Sequence, residues 1–287
     1  MKMHNSVFEV LQRASSFLSV NGREETAARL LMQHVLQINY SDLMLRMQEQ
    51  MSNEQIATLE DMLQRHAEGV PVQYITGVEE FYGRPFQVDE SVLIPRPETE
   101  ELIVGAITRI EKLFGKDAAI QLADIGTGSG AIAITMKLEC PNVAVTATDI
   151  SQDALATAEQ NAMQLQAAID FRLGDLTEPI AHQKWDVILS NPPYIAYHEA
   201  KEMSDIVLEH EPHTALFADE DGLFLYRKLA EQLPALMRQP ALIGVEIGYM
   251  QGRAVAAFFQ QHFPQATIEI VKDINGKDRI VFCVIDE

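Results

Sequence analysis

The chain predicts an α/β fold: a doubly wound, mostly parallel sheet of seven strands, preceded by a small all-helical domain and a β-hairpin linker. Three observations predict it. Strand and helix patterns alternate from about residue 119 onward, the mark of βαβ units on a parallel sheet. The last two strand patterns are separated only by Asp273-Ile274-Asn275-Gly276-Lys277-Asp278, too short for a helical crossover, so that pair is antiparallel. Before residue 70 the periodicity is helical alone.

Domain boundaries follow as 1–70 for the helical bundle, 71–95 for the linker and 96–287 for the sheet domain. Met1-Lys2-Met3-His4-Asn5-Ser6 leads into a helix without the long apolar region of a signal peptide. Phe8 and Leu11 begin the first helix, Ala27, Leu30, Leu31 and Val35 share a face of the second, and Ser41-Asp42 reads as the cap of a third. Ser52 and Gln55 form a capping box ahead of Ile56, Leu59 and Leu63, with Gly69 closing that helix. Met44, Met47, Met51 and Met62 read as core filler.

From Pro71 the pattern becomes extended. Val72 to Thr76, Glu80-Phe81-Tyr82-Gly83 and Phe86-Gln87-Val88 alternate like strands, with glycines at turn positions. Pro97 then suits the first turn of a helix whose start is complemented by Glu98, Glu100 and Glu101, and whose buried face is Leu102, Ile103, Ala106, Ile107 and Ile110. Arg96, between two prolines at the domain junction, is a candidate for shaping a site.

The seven strands are read at Ala119–Ile125, Val143–Thr148, Phe171–Leu173, Trp185–Ser190, Ala241–Ile247, Thr267–Val271 and Arg279–Ile285. Ligands bind such sheets at the carboxyl ends of the strands. The first strand runs into Gly126-Thr127-Gly128-Ser129-Gly130, whose spaced glycines let the backbone turn sharply and a ligand approach closely. Gly126, Gly128 and Ala131 also satisfy a dinucleotide fingerprint, so the loop does not name its cofactor. Asp149, ending the second strand, can accept from both hydroxyls of a ribose, which nicotinamide and methionine cofactors share. Asp175 can accept from an adenine amino group while Leu176 packs on the ring.

The fourth strand separates those cofactors. It ends in Asn191-Pro192-Pro193-Tyr194, which offers two acceptors and a stacking face for a planar amide or amino group, and leaves an oxidoreductase with no use for it. A delocalised nitrogen is a poor nucleophile and must be oriented. The Asn191 side-chain oxygen and the Pro192 carbonyl can each take one N–H, strengthening as charge develops on nitrogen. This favours methyl transfer to nitrogen from S-adenosylmethionine, and the predicted sheet matches the class I methyltransferase architecture by analogy.

Composition narrows the substrate. Aspartate and glutamate total 42 against 22 lysines and arginines, a formal net charge of −20, with no basic run to grip phosphates. Direct nucleic-acid binding is therefore not expected, nor is a membrane span. Cys140 and Cys283 are too few for a disulfide framework and suit a reducing cytoplasm. No metal site is expected.

Taken together, the Tyr74-Ile75-Thr76-Gly77 and Phe81-Tyr82-Gly83 stretches, Leu93-Ile94-Pro95-Arg96-Pro97-Glu98-Thr99-Glu100, the glycine loop, the Asn191 quartet and Asp221-Gly222-Leu223 carry a resemblance across nearly the whole chain. It resembles the protein-(glutamine-N5) methyltransferases of peptide chain release factors, the PrmC or HemK family. The quartet alone is shared with adenine-N6 DNA methyltransferases. The Pro-Arg-Pro-Glu-Thr-Glu stretch beside the hairpin points to the release-factor branch rather than to enzymes acting on a ribosomal protein. The resemblance implies methylation of the glutamine in the release factors' Gly-Gly-Gln loop, with S-adenosylhomocysteine as the other product. It places the methionine part of the cofactor at Gly126 to Gly130, the ribose at Asp149, the adenine at Asp175 and Leu176, and the glutamine amide at Asn191, Pro192, Pro193 and Tyr194, with Asn191 facing both ligands. The helical domain is expected to recognise the release factor, and the chain is expected to be monomeric. His213 stands where the family pattern has arginine and reads as a surface residue; Glu246 lines the pocket or caps the next helix.

Overall fold

The computed structural model describes residues 5–286, so residues 1–4, on which the reading of the amino-terminal stretch partly rests, lie outside the described residues. The described residues divide into two compact units, residues 5–78 with 204–210, and residues 79–203 with 211–286.

The first unit is helical: α1 (Val7–Val20), α2 (Thr26–Leu36), α3 (Tyr40–Leu45), α4 (Asn53–Ala67) and α5 (Val72–Thr76). Capping boxes start two of them, Ser6 with Glu9 and Ser52 with Gln55, each satisfying two otherwise unpaired backbone donors. The core is built from Val10, Ala14 and Leu18, Ala28, Leu31 and Met32, Leu43, and Leu59 and Leu63. Several sequence expectations shift by a residue or two. Phe8 and Leu30 are exposed, the buried stripes being Val7/Val10/Ala14/Leu18 and Ala27/Ala28/Leu31/Met32. Asn39, not Ser41, caps α3, its side chain accepting from the Asp42 amide. Met51 is buried while Met44 is exposed.

Val72 to Thr76 is a helix, not a strand. Its β-branched and aromatic residues suggested extension, but Pro71 precedes the first turn and the spacing of Val72 and Ile75 lets one face join the helical core. The true hairpin comes next, β1 (Val78–Phe81) and β2 (Arg84–Gln87), with Tyr82 and Gly83 both at positive φ in the turn. From Glu79 onward this hairpin belongs to the second unit. Asn161 holds it by accepting from the Gln87 amide and donating to the Gln87 carbonyl, at 2.6 and 3.0 Å.

The second unit continues with α6 (Pro97–Phe114), β3 (Gln121–Ile125), α7 (Ala131–Glu139), β4 (Ala144–Asp149), α8 (Gln152–Leu165), β5 (Ile169–Leu173), β6 (Trp185–Ser190) and the two-residue β7 (Ile195–Ala196). After α9 (Asp205–His210), which belongs to the helical unit, come α10 (His213–Leu216), β8 (Phe217–Ala218), α11 (Asp219–Gly222), α12 (Phe224–Gln232), β9 (Met237–Glu246), α13 (Gly252–His262), β10 (Thr267–Lys272) and β11 (Asp278–Ile285). All seven expected strands form one sheet, in the order β10-β11-β9-β6-β3-β4-β5. β11 is antiparallel to β10, as the short final loop requires, and also to β9. The small parallel pair of β7 and β8 was not anticipated.

Because the central strands are covered on both faces, β6 is buried at every position. Val187 and Leu189 face the core shared with α6 and α7, and Trp185 and Ile188 face the one shared with α12 and α13. The strand order reverses between β3 and β6, whose last residues Ile125 and Ser190 are in register. The next residues, Gly126 and Asn191, therefore open a crevice at the topological switch point.

Candidate functional site

A cavity of about 430 Å³ lies at this crevice, within the usual range for small-molecule sites. Its walls include the glycine loop, the ends of β4 and β5, the start of the quartet, Tyr197 and residues between Pro212 and Leu225. Gly126 and Gly128 adopt φ of 72° and 54°, and a Cβ on either would meet nothing within 4 Å, so side chains there would project into open space. Gly130 is different. It lines no part of the cavity; a Cβ there would come within 2.8 Å of Ile134 and 3.2 Å of Ala158, so its absence serves helix packing.

Asp149 lies across the loop from β3. Its Oδ2 accepts from the Gly128 amide and its Oδ1 from the Ser151 amide, each at 2.9 Å. Those two bonds hold the carboxylate still and leave each oxygen a second lone pair, and Asp149 lines the cavity. Ser151 meanwhile caps α8. Asp175 and Leu176 also line the cavity, Leu176 with an uncommon φ of 45°. Beneath the loop Asp124 is fully buried, accepts from Thr127 and the Ala133 amide, and has its pKa pushed up to about 7 by that burial.

Asn191, Pro192, Pro193 and Arg96 line the cavity, so the residues expected at the end of β6 and at the Pro-Arg-Pro stretch are brought together. Arg96 donates to Glu211 at 2.5 Å, a carboxylate with a side chain only 1% exposed. Tyr194 is off the cavity wall. Its ring packs on the α12/α13 core and its hydroxyl reaches Glu246 Oε1 at 3.5 Å; burial, with Glu246 beside it, pushes the phenol pKa well up. Among the described residues, neither Asn191 Oδ1 nor the Pro192 carbonyl has a hydrogen-bond partner. Two acceptors therefore stand unengaged at the strand end.

Sequence reasoning missed the connection behind them. Asn191 Nδ2 donates to Thr99 Oγ1 at 3.2 Å, and Thr99 donates to Glu246 Oε2 at 2.6 Å. Glu246 is buried behind the wall and caps no helix; Tyr226 donates to its backbone carbonyl. Also missed was the far wall, where Tyr197 stacks on Phe217 at 5.2 Å and His213 sits edge-on to the same ring. His213 is both exposed and on the cavity wall. The Asp221-Gly222 signal could have pointed there. Gly222 has φ 79°, and a Cβ would fall 2.0 Å from the Tyr194 carbonyl oxygen.

Residues 107–214 match the methyltransferase small domain family, and residues 9–77 match the PrmC N-terminal domain. A crystal structure of a methyltransferase from Pyrococcus furiosus superposes with a TM-score of 0.54 at 15% identity, covering 72% of this chain and 91% of that one, a likeness of fold. Sheet order, glycine loop and family match together define a class I methyltransferase. The release factor glutamine methyltransferase of Bacillus cereus is 48% identical over 282 residues, 98% of this chain and 99% of its own; that of Bacillus subtilis is 44% identical over 98% of each. The chain belongs to the release factor glutamine methyltransferase family.

Proposed function

We propose that the chain transfers a methyl group from S-adenosylmethionine to the side-chain amide nitrogen (N5) of the glutamine in the Gly-Gly-Gln loop of peptide chain release factors, in support of translation termination. The family assignment supports the reaction class and the substrate. The observation that carries the chemistry is the pair of unengaged acceptors, Asn191 Oδ1 and the Pro192 carbonyl, beside a cavity fit for the methyl donor.

The residues present suit that donor. Open space above Gly126 and Gly128 admits a ligand against the backbone, Asp149 keeps lone pairs for a ribose diol, and Asp175 with Leu176 offers an acceptor and an apolar face for adenine. S-adenosylmethionine supplies an electrophilic methyl group on a sulfonium. Asn191 and Pro192 each accept one N–H of the glutamine amide, which fixes the plane of the group and aims the nitrogen lone pair. As the N–C bond forms and the C–S bond breaks, positive charge grows on nitrogen and both acceptors bind more strongly than in the ground state. The surplus amide proton leaves to solvent, and S-adenosylhomocysteine is the second product. Pro193 stiffens the turn, and Arg96, paired with Glu211, shapes the mouth beside it. Tyr194 supports the quartet from behind through Glu246.

In this reading the residues up to about 70 recognise the release factor, 71–95 link and 96–287 form the catalytic domain, acting as a cytoplasmic monomer without direct nucleic-acid contact. No helix among the described residues is long and apolar enough to cross a membrane. Incubation with methyl-labelled S-adenosylmethionine and either a release factor or DNA tests the proposal. Label should enter the release factor and vanish when its loop glutamine is replaced; label in DNA alone would overturn it.

A further inference from the structure

Three residues far apart in sequence meet behind the substrate acceptors. α6 supplies Thr99 from its first turn, the end of β6 supplies Asn191, and the end of β9 supplies Glu246, which lies beside Asn191 because Ser190 and Val245 are in register. Thr99 and Glu246 are 4% and 2% exposed, so water does not compete for their bonds. A threonine hydroxyl has one hydrogen. At 2.6 Å from a carboxylate, which only accepts, that hydrogen is committed to Glu246. The hydroxyl can then only accept from Asn191, whose amide must turn its nitrogen toward Thr99 and its oxygen toward the cavity.

Resting on the glutamine reading above, we infer that Thr99 and Glu246 are positioning residues that decide which end of the Asn191 side-chain amide meets the substrate. The two ends of an amide are nearly the same size, so packing alone does not choose between them. The wrong choice would set an N–H donor against the N–H of the substrate glutamine and remove one of its two acceptors.

The arrangement is also polarised by proton. Burial, with a smaller push from Glu98, raises the Glu246 carboxyl to about 7. Thr99 and Glu98 face it from α6, Tyr194 from the quartet, Tyr226 from α12 and Arg279 from β11; Thr99, Tyr194 and Arg279 favour the carboxylate, and Glu98 opposes it. A neutral Glu246 donates to Thr99, whose own hydrogen then turns to Asn191 and draws Oδ1 away from the cavity. The productive orientation therefore belongs to ionised Glu246, and kcat/KM rises with pH through about 7.

The test uses the full chain, a release factor and S-adenosylmethionine. Thr99→Val should lower kcat by about 10- to 100-fold, with the donor's Kd and the apo-protein's affinity for release factor little changed. Thr99→Ser, which keeps the hydroxyl, should restore it. Glu246→Gln, which cannot ionise, should lose the rise in kcat/KM through neutral pH. Near-normal kcat in Thr99→Val, a Thr99→Ser variant as slow as the valine one, or a rise through neutral pH that persists when Glu246→Gln is made beside Asp124→Asn, which removes the other carboxyl near 7, would each overturn the inference. If the valine variant does not fold, the Glu246→Gln profile decides. A wild-type chain that fails to methylate any release factor would instead overturn the functional reading and this one with it, an outcome distinct from active variants beside an active wild type.

Discussion

At the scale of the residue, the proposed function rests on atoms without partners among the described residues. Asn191 is held by its nitrogen and free at its oxygen, which is the opposite of an amide that merely ends a strand. Asn191→Ala should lower turnover on the order of 10²- to 10³-fold, the usual effect of deleting a preorganised donor or acceptor at a charge that grows in the transition state. Steady-state kinetics with a release factor should show it, while calorimetry finds cofactor affinity much less affected; near-normal turnover would refute the acceptor role. Asn191 and Asp149 were legible in the sequence because each follows a strand pattern, and strand ends are where such sheets bind ligands. Thr99 and Glu246 were not. They are 147 positions apart, and only the packing of α6 against the sheet brings a helix first turn to a strand end.

At the scale of the element, local chemistry predicted regular structure well and short segments poorly. β6 carries the apolar run Val187-Ile188-Leu189 between Trp185-Asp186 and Ser190, buried at every position, so its limits could be read directly. α5 could not, since five residues rich in β-branched side chains become helical only because the helical core accepts one of their faces. The stretch from Ile195 to Gly222 breaks into short helices and a two-residue strand pair, for which no periodicity exists to be read. Gly222 is its fixed point. Gly222→Ala places a methyl against the Tyr194 carbonyl at φ 79° and should cost on the order of 1–3 kcal/mol, with a fall in turnover because the quartet's backbone must give way. Urea unfolding and initial rates measure both, and a variant of wild-type stability would show that the loop yields instead.

At the scale of the whole molecule, charge and burial set the response to solution conditions. Asp124 and Glu246 rise from 3.8 and 4.5 to about 7 on burial, so the folded chain holds protons there that the unfolded chain releases. Their contribution to stability is complete below the unfolded values and is lost as pH rises through about 7. Urea midpoints should therefore decline across that window, and Asp124→Asn with Glu246→Gln should flatten the decline; an unchanged slope would mean that these carboxyls titrate alike in both states. The net charge of −20 gives a second test. Steering of a basic face on the protein substrate predicts a second-order rate that falls with added salt, whereas a flat dependence assigns the charge to solubility.

By itself the sequence determined the sheet, its antiparallel end, the glycine loop and the place of the Asn191 quartet at a strand end, because hydrophobic period, loop length and turn chemistry are local properties. Tertiary structure alone decided which amide atom of Asn191 is free, why Gly130 serves packing while Gly126 and Gly128 face open space, and that Tyr194 stands behind the wall. Those outcomes depend on register between β3, β6 and β9 and on where α6 docks, and a hydrogen bond takes its direction from partners that only folding assembles.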